Sequence, residues 1–213
     1  MIRYLKNMIH GSVRLPWITL ILSAISVALF ADFGGGSEVF IYDRALIEQG
    51  EFWRLVTGHF IHLDLQHLVT NVGALIALGT LYETSRFGGP GRLAFGCFAL
   101  AGAMISAGLF LGDPATLYYC GLSGILNGLY VLTALALWRE SGSRIWLVAL
   151  GLIVLKVGYE SVFPPIFSSN LAWPPHIGAH VTGIITGFLV FGWEQRQDWK
   201  RALFGPGAFA HAS

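Results

Sequence analysis

The chain has 213 residues, 54% of them hydrophobic and 12% charged, with 13 Lys and Arg against 12 Asp and Glu, and its mean hydropathy is +0.63. Soluble domains of this size carry more charge, so the composition predicts an integral membrane protein. A formal net charge of +1 leaves no excess that would draw nucleic acid or an acidic polymer.

Apolar runs fall at about 17–33, 66–83, 93–112, 122–138, 145–163 and 177–193, each near the ~20 residues that cross a bilayer. They predict an all-α membrane protein of six helical spans. The first run follows Arg3, Lys6 and Arg14, is longer than a usual signal core and lacks an A-x-A cleavage site, so it reads as a retained anchor. The one long connection, 34–65, opens with GGGS and carries YDRALIEQGEFWRLVTGHFIHLD. Its mix of aromatic and charged residues suits a membrane interface. RFGGPGR at 86–92 is a turn by composition, FPPIFSSNLAWPP at 163–175 is either a lid or a turn, and the tail 204–213 is expected to be disordered. No internal repeat is visible, and residues 1–203 are read as a single bundle.

Charge between the spans alternates. Arg3, Lys6, Arg14, Arg86, Arg92, Arg139, Arg144, Arg196, Lys200 and Arg201 fall on one side and only Arg44 and Arg54 on the other. The positive-inside rule therefore places both termini in the cytoplasm and starts spans 2, 4 and 6 at the outer face. Cys97 and Cys120 fall at opposite ends of their spans, so no disulfide joins them.

Polar residues cluster where those three spans begin. Span 4 from Leu122 is short, about 25 Å, so its start is sunk below the surface and the preceding loop must line a protected cavity. Ser123 sits at that helix N-terminus, where free N–H groups and the dipole favour an oxyanion. Alone, such a serine is more often a simple N-cap. His180, near the start of span 6, lies at similar depth, and Gly183 and Gly187 there could pack on Gly124 and Gly128 of span 4. Alone, that histidine could bond a backbone carbonyl. Span 2 opens HLVTN, placing His67 and Asn71 on one helical face. Together the four groups are complete for acyl transfer, with Ser123 as nucleophile, His180 as base then acid, and His67, Asn71 and the Ser123 N–H as oxyanion donors. No Asp or Glu is expected beside His180, so the reading is a dyad.

G-x-S-G opening span 4, A-H-x-x-G-x-x-x-G on span 6, H-x-x-x-N on span 2 and the Trp53–Arg54 pair together resemble the rhomboid family of intramembrane serine proteases. The resemblance covers spans 2 to 6 and the first external loop. It implies a six-helix core with a Ser123–His180 dyad, His67 and Asn71 at the oxyanion, Gly121 shaping the serine loop, and transmembrane substrates that enter laterally past span 5. No cofactor or metal is implied. Many members carry Tyr four residues after the serine, where this chain has Asn127, so Asn127 is a candidate partner for His180 instead. GHFIHLDLQHLVTN and LKVGYE look most like the rhombosortase branch, which implies substrates bearing a C-terminal Gly-Gly motif, an apolar span and a basic tail. The setting implied is a bacterial inner membrane with the site facing the periplasm; an organelle membrane fits the residues equally well.

Lys156 and Glu160, four apart in span 5, either neutralise one another or read a substrate at the gate. Three rivals stand beside the protease. An inactive rhomboid-like protein that binds transmembrane clients would characteristically lack the Ser or His. A transporter would show paired broken helices. A metal or haem site could use His59, His62, His67, His176 and His180, although HFIH lacks the Glu and spacing of H-E-x-x-H.

Overall fold

Long helices occupy the apolar stretches. A computed structural model of the chain describes residues 15–163 and 175–204. The charges at Arg3, Lys6 and Arg14, nearly all of the 163–175 loop and the tail past Phe204 lie outside the described residues. Helix α1 spans Trp17–Phe33. The first long connection holds strand β1 (Tyr42–Asp43), the short helices α2 (Arg44–Glu48) and α3 (Arg54–Thr57), and a 3-10 turn at Gly58–Phe60. Then come α4 (Leu65–Thr84), α5 (Pro90–Gly112), strand β2 (Tyr118–Tyr119), α6 (Ser123–Ser141), α7 (Ile145–Glu160) and α8 (Ile177–Phe204). Among the described residues, Leu65–Thr84, Pro90–Gly112 and Ile177–Asp198 are long and apolar enough to cross a membrane, and Trp17–Phe33 is apolar but shorter.

Helix α6 is the axis of the bundle. From Gly124 to Leu137 only Tyr130 is not buried, as expected of a helix apolar on all sides. Its glycines let α8 approach backbone to backbone: a Cβ on Gly128 would stand 2.7 Å from the Gly183 carbonyl oxygen, and one on Gly187 would stand 2.6 Å from that of Gly128. A Cβ on Gly183 would strike the Gly124 carbonyl. Helix α7 is attached more lightly. Ile153 and Val157 are its buried residues, while Leu147, Val148, Leu152, Val154, Leu155 and Tyr159 are exposed, an apolar surface suited to lipid.

Polar groups tie both ends. At the end far from Ser123, Tyr82 donates to Glu194 at 2.9 Å, Arg92 and Arg139 both hold Asp198, at 2.6 and 2.9 Å, and the Arg139 guanidinium lies 3.9 Å over the Phe87 ring. Glu83 accepts from the Thr19 N–H and hydroxyl, each at 2.6 Å, a carboxylate at the positive end of α1. At the Ser123 end, the Arg44 guanidinium donates to the carbonyls of Leu109, Phe110, Asp113 and Thr116, at 2.5, 3.1, 2.9 and 3.1 Å. It thereby caps the orphan carbonyls where α5 stops. Arg54, the second residue of the Trp-Arg pair, is buried and donates to Glu51 and to the carbonyls of Glu38 and Ile41.

The all-α reading needs one amendment. Strands β1 and β2 pair antiparallel, Tyr42 opposite Tyr119 and Asp43 opposite Tyr118. Two residues per strand carry no alternation pattern long enough to read. Four helix ends also differ by three residues or more from the expected spans: α5 begins at Pro90, α6 runs to Ser141, α7 stops at Glu160, and α8 runs 28 residues to Phe204.

Candidate active site

The loop before α6 is held from two sides. The β1–β2 pair fixes Tyr118–Tyr119, and the Gly121 N–H donates to the Gly58 carbonyl at 3.0 Å. Gly121 has φ +103°, and a Cβ there would lie 2.6 Å from His67 Nε2. Both the left-handed backbone and the adjacent imidazole therefore require glycine. The chain then turns into α6 with Ser123 as its first helical residue, and the cap position, Leu122, makes no side-chain cap hydrogen bond. The Ser123 hydroxyl is not used as an N-cap. Its Oγ lies 3.0 Å from His180 Nε2.

That distance follows from the glycine crossing. Gly183 seats against Gly124, the residue after Ser123, and His180 stands one turn before Gly183 on α8. His180 is 3% exposed, so its ring is fixed by packing.

His67 and Asn71 lie on the face of α4 toward the same space. Asp64 caps α4 by accepting the His67 N–H at 2.8 Å. The Leu63 N–H reaches His67 Nδ1 at 3.5 Å, which leaves Nε2, beside Gly121, to carry the proton of the neutral ring. Asn71 Nδ2 donates to the His67 carbonyl at 2.9 Å. A cavity of about 770 Å³ is lined by Ser123, His180, His67, Asn71, Asn127, Lys156 and Glu160, among others. Ser123, His180, His67, Asn71, Asn127, Lys156 and Glu160 thus share one chamber, which His176 also lines and His59 and His62 do not.

Two expectations are corrected. Asn127 does not reach His180; its Nδ2 donates to the Ser123 carbonyl at 2.7 Å, which steadies the first turn of α6. A carboxylate does stand beside the histidine: Glu160 Oε2 lies 3.3 Å from His180 Nδ1. That contact is within ion-pair range but off the straight hydrogen-bond line. The same oxygen is 2.8 Å from Lys156 Nζ. Sequence spacing paired Lys156 with Glu160 but did not bring the pair to His180, because the contact is between helices α7 and α8. The available signal was depth: Glu160 ends its helix at the end of the bundle where α6 and α8 begin.

The rim has its own polar cluster, of which the sequence singled out His176 alone, as a metal or haem candidate. His176 Nε2 lies 3.0 Å from Asp113 Oδ2 and 2.9 Å from Thr116 Oγ1, and His176 Nδ1 accepts the Ala179 N–H at 3.0 Å. It joins the loop after α5 to the start of α8. Hydrogen bonds from the Thr116 hydroxyl and the His176 ring hold the Asp113 carboxyl below its ordinary range. Cys120 also lines the cavity. Cys97 and Cys120 are both free. Among the described residues no group of three or more His, Cys, Asp or Glu is placed to hold a metal ion.

The chain is 29% identical over 187 residues to Rhomboid protease GluP of Bacillus subtilis (strain 168), covering 81% of this chain and 34% of that protein. It is 28% identical over 196 residues to Rhomboid protease GlpG of Photorhabdus laumondii, covering 86% and 62%. It is 35% identical over 133 residues to Inactive RHOMBOID-like protein 8 of Arabidopsis thaliana, covering 61% and 36%. The chain thus spans about one to two thirds of the length of these relatives. The rhomboid domain family matches residues 49–193, from the end of α2 to beyond His180. That match takes in most of the chain and every residue of the chamber, and it places this protein in the rhomboid family of integral membrane proteins.

Proposed function

We propose that this protein is an intramembrane serine endopeptidase acting through Ser123 and His180. The observation that carries the reading is the 3.0 Å approach of Ser123 Oγ to His180 Nε2 inside a chamber shared with His67 and Asn71. His180 Nε2 takes the Ser123 proton as Oγ adds to the scissile carbonyl carbon. The oxyanion that forms is met by the His67 Nε2–H, by Asn71 and by the Ser123 N–H at the positive end of α6. Collapse of the tetrahedral intermediate breaks the C–N bond, and His180 returns the proton to the leaving amine. Water then enters the chamber and the same base activates it to hydrolyse the acyl-Ser123 ester.

Substrates in this reading are transmembrane or membrane-anchored proteins that arrive from the bilayer. The finer assignment is the rhombosortase branch, with substrates that carry a C-terminal Gly-Gly motif, an apolar span and a basic tail. It rests on the GHFIHLDLQHLVTN and LKVGYE stretches. All six long helices cross the membrane in this account, residues 1–203 form one domain, both termini are cytoplasmic and the chamber opens to the periplasmic side of a bacterial inner membrane. The chemistry needs no metal or cofactor.

Purified protein in liposomes with a single-span Gly-Gly reporter tests the reading. Cleavage near the reporter's Gly-Gly motif by wild type but not by Ser123→Ala is expected. Cleavage by both would refute it. The client-binding alternative is favoured by the inactive plant relative; the Ser123–His180 contact weighs against it.

A further inference from the structure

We infer that Glu160 is a positioning residue for His180, so that the site works as a Ser123–His180–Glu160 triad with Lys156 as the carboxylate's counter-ion. The inference rests on the protease reading above. A histidine base must hold its proton on Nδ1 and offer the Nε2 lone pair to the serine. An adjacent carboxylate fixes that tautomer and stabilises the imidazolium that forms. His180 presents Nε2 to Ser123 Oγ at 3.0 Å and Nδ1 to Glu160 Oε2 at 3.3 Å. Nδ1 is buried and makes no hydrogen bond of good geometry among the described residues, so the Glu160 carboxylate is the polar group that faces it. Glu160 is therefore the group available to select the tautomer.

Placement on α7 separates this role from plain charge neutralisation. Ile153, Lys156, Val157 and Glu160 follow one another at helical spacing on the stripe of α7 that turns inward, the apolar pair being buried. The carboxylate side chain is 5% exposed while its lysine partner is 31% exposed. A pair serving only to cancel two intramembrane charges gains nothing by burying the acid deeper than the base. Burial against His180 is what that asymmetry achieves. Lys156, at 2.8 Å, serves as the counter-ion of that carboxylate. No proton passes to Glu160 in the cycle: Nε2 of His180 accepts and returns the serine proton, and the carboxylate holds Nδ1–H throughout.

The experiment compares wild type, Glu160→Gln and the double variant Lys156→Met/Glu160→Gln in liposomes, with kcat and KM for a single-span reporter and fluorophosphonate labelling of Ser123. The double variant removes both charges, so no lone lysine is left at the chamber. A lost tautomer forfeits much of a general base's ~10² to 10⁴ contribution. The bent contact and the shared lysine put the loss at the low end. Both variants are expected to lose about 100-fold in kcat, with KM within a few fold and unchanged melting. Wild-type kcat in the folded double variant would overturn the triad and leave Glu160 as a charge partner alone. Absence of label on wild-type Ser123 would overturn the protease reading and this inference with it.

Discussion

Adding one methyl group between α6 and α8 should uncouple Ser123 from His180 without touching either. An alanine Cβ at Gly128 meets the Gly183 carbonyl oxygen at 2.7 Å, and at Gly187 it meets the Gly128 carbonyl at 2.6 Å. Ordinary contact begins near 3.4 Å, so the two backbones must part by about 0.7 to 0.8 Å. Transmitted along the crossing, that carries Ser123 Oγ and His180 Nε2 from 3.0 Å to about 3.7 Å, beyond hydrogen-bond range. Overpacking of this kind costs about 1 to 3 kcal/mol of stability, and a displacement near 1 Å in a reacting pair costs about 100-fold in rate. Gly183→Ala, aimed at the Gly124 carbonyl itself, should be the most severe of the three. Gly192 lies on the same helix, and a methyl added there would meet nothing within 4 Å, so Gly192→Ala should leave kcat unchanged and gain up to about 1 kcal/mol from helix propensity. Reporter cleavage and thermal unfolding in one lipid would read both quantities. Wild-type kcat in folded Gly183→Ala would refute the claim that this crossing sets the dyad distance.

Three further outcomes follow from neighbouring residues. Gly121→Ala combines a forbidden φ of +103° with a clash on the His67 ring, and should cut Ser123 labelling at least about 10²-fold, as loss of one oxyanion donor does; unchanged labelling would remove Gly121 and His67 from the account. Arg44→Ala strips two carbonyls at the end of α5 and two in the loop that follows of their donor and should cost about 2 to 4 kcal/mol, seen as a lowered melting temperature that Arg44→Lys restores only in part. Burial lowers the pKa of His59 to about 4 from its ordinary 6.5, so as pH falls the unfolded chain binds the proton first. Stability from this group is full above about pH 6.5, falls through the interval down to about pH 4, and totals roughly 3 kcal/mol. A His59→Asn variant whose unfolding keeps the wild-type pH slope would contradict that assignment.

Much of the chamber was legible in the sequence because helix geometry is regular. His67 and Asn71 share a face by spacing alone, and Ser123 and His180 share a depth because both open their helices from the same end. The glycines at 124, 128, 183 and 187 announce a close crossing, and the crossing brings serine and histidine together. What the sequence could not deliver was contact between non-adjacent elements. Glu160 meets His180 through the rotation of α7 about its own axis, which the buried stripe at Ile153 and Val157 sets. Asn127 invited pairing with His180, but its amide turns back one helical turn to the Ser123 carbonyl, the local bond open to any Asn in a helix. The β1–β2 pair and the Arg44 cap arise from loops whose paths only the folded bundle defines.

The central claim is that His180 activates Ser123. Labelling of the purified protein with a fluorophosphonate, mapped by mass spectrometry for wild type and His180→Ala, tests it most directly. The account predicts label on Ser123 in wild type and its loss in the folded His180→Ala variant. Wild-type protein that is folded yet takes no label, under conditions in which an active rhomboid protease is labelled, would contradict it.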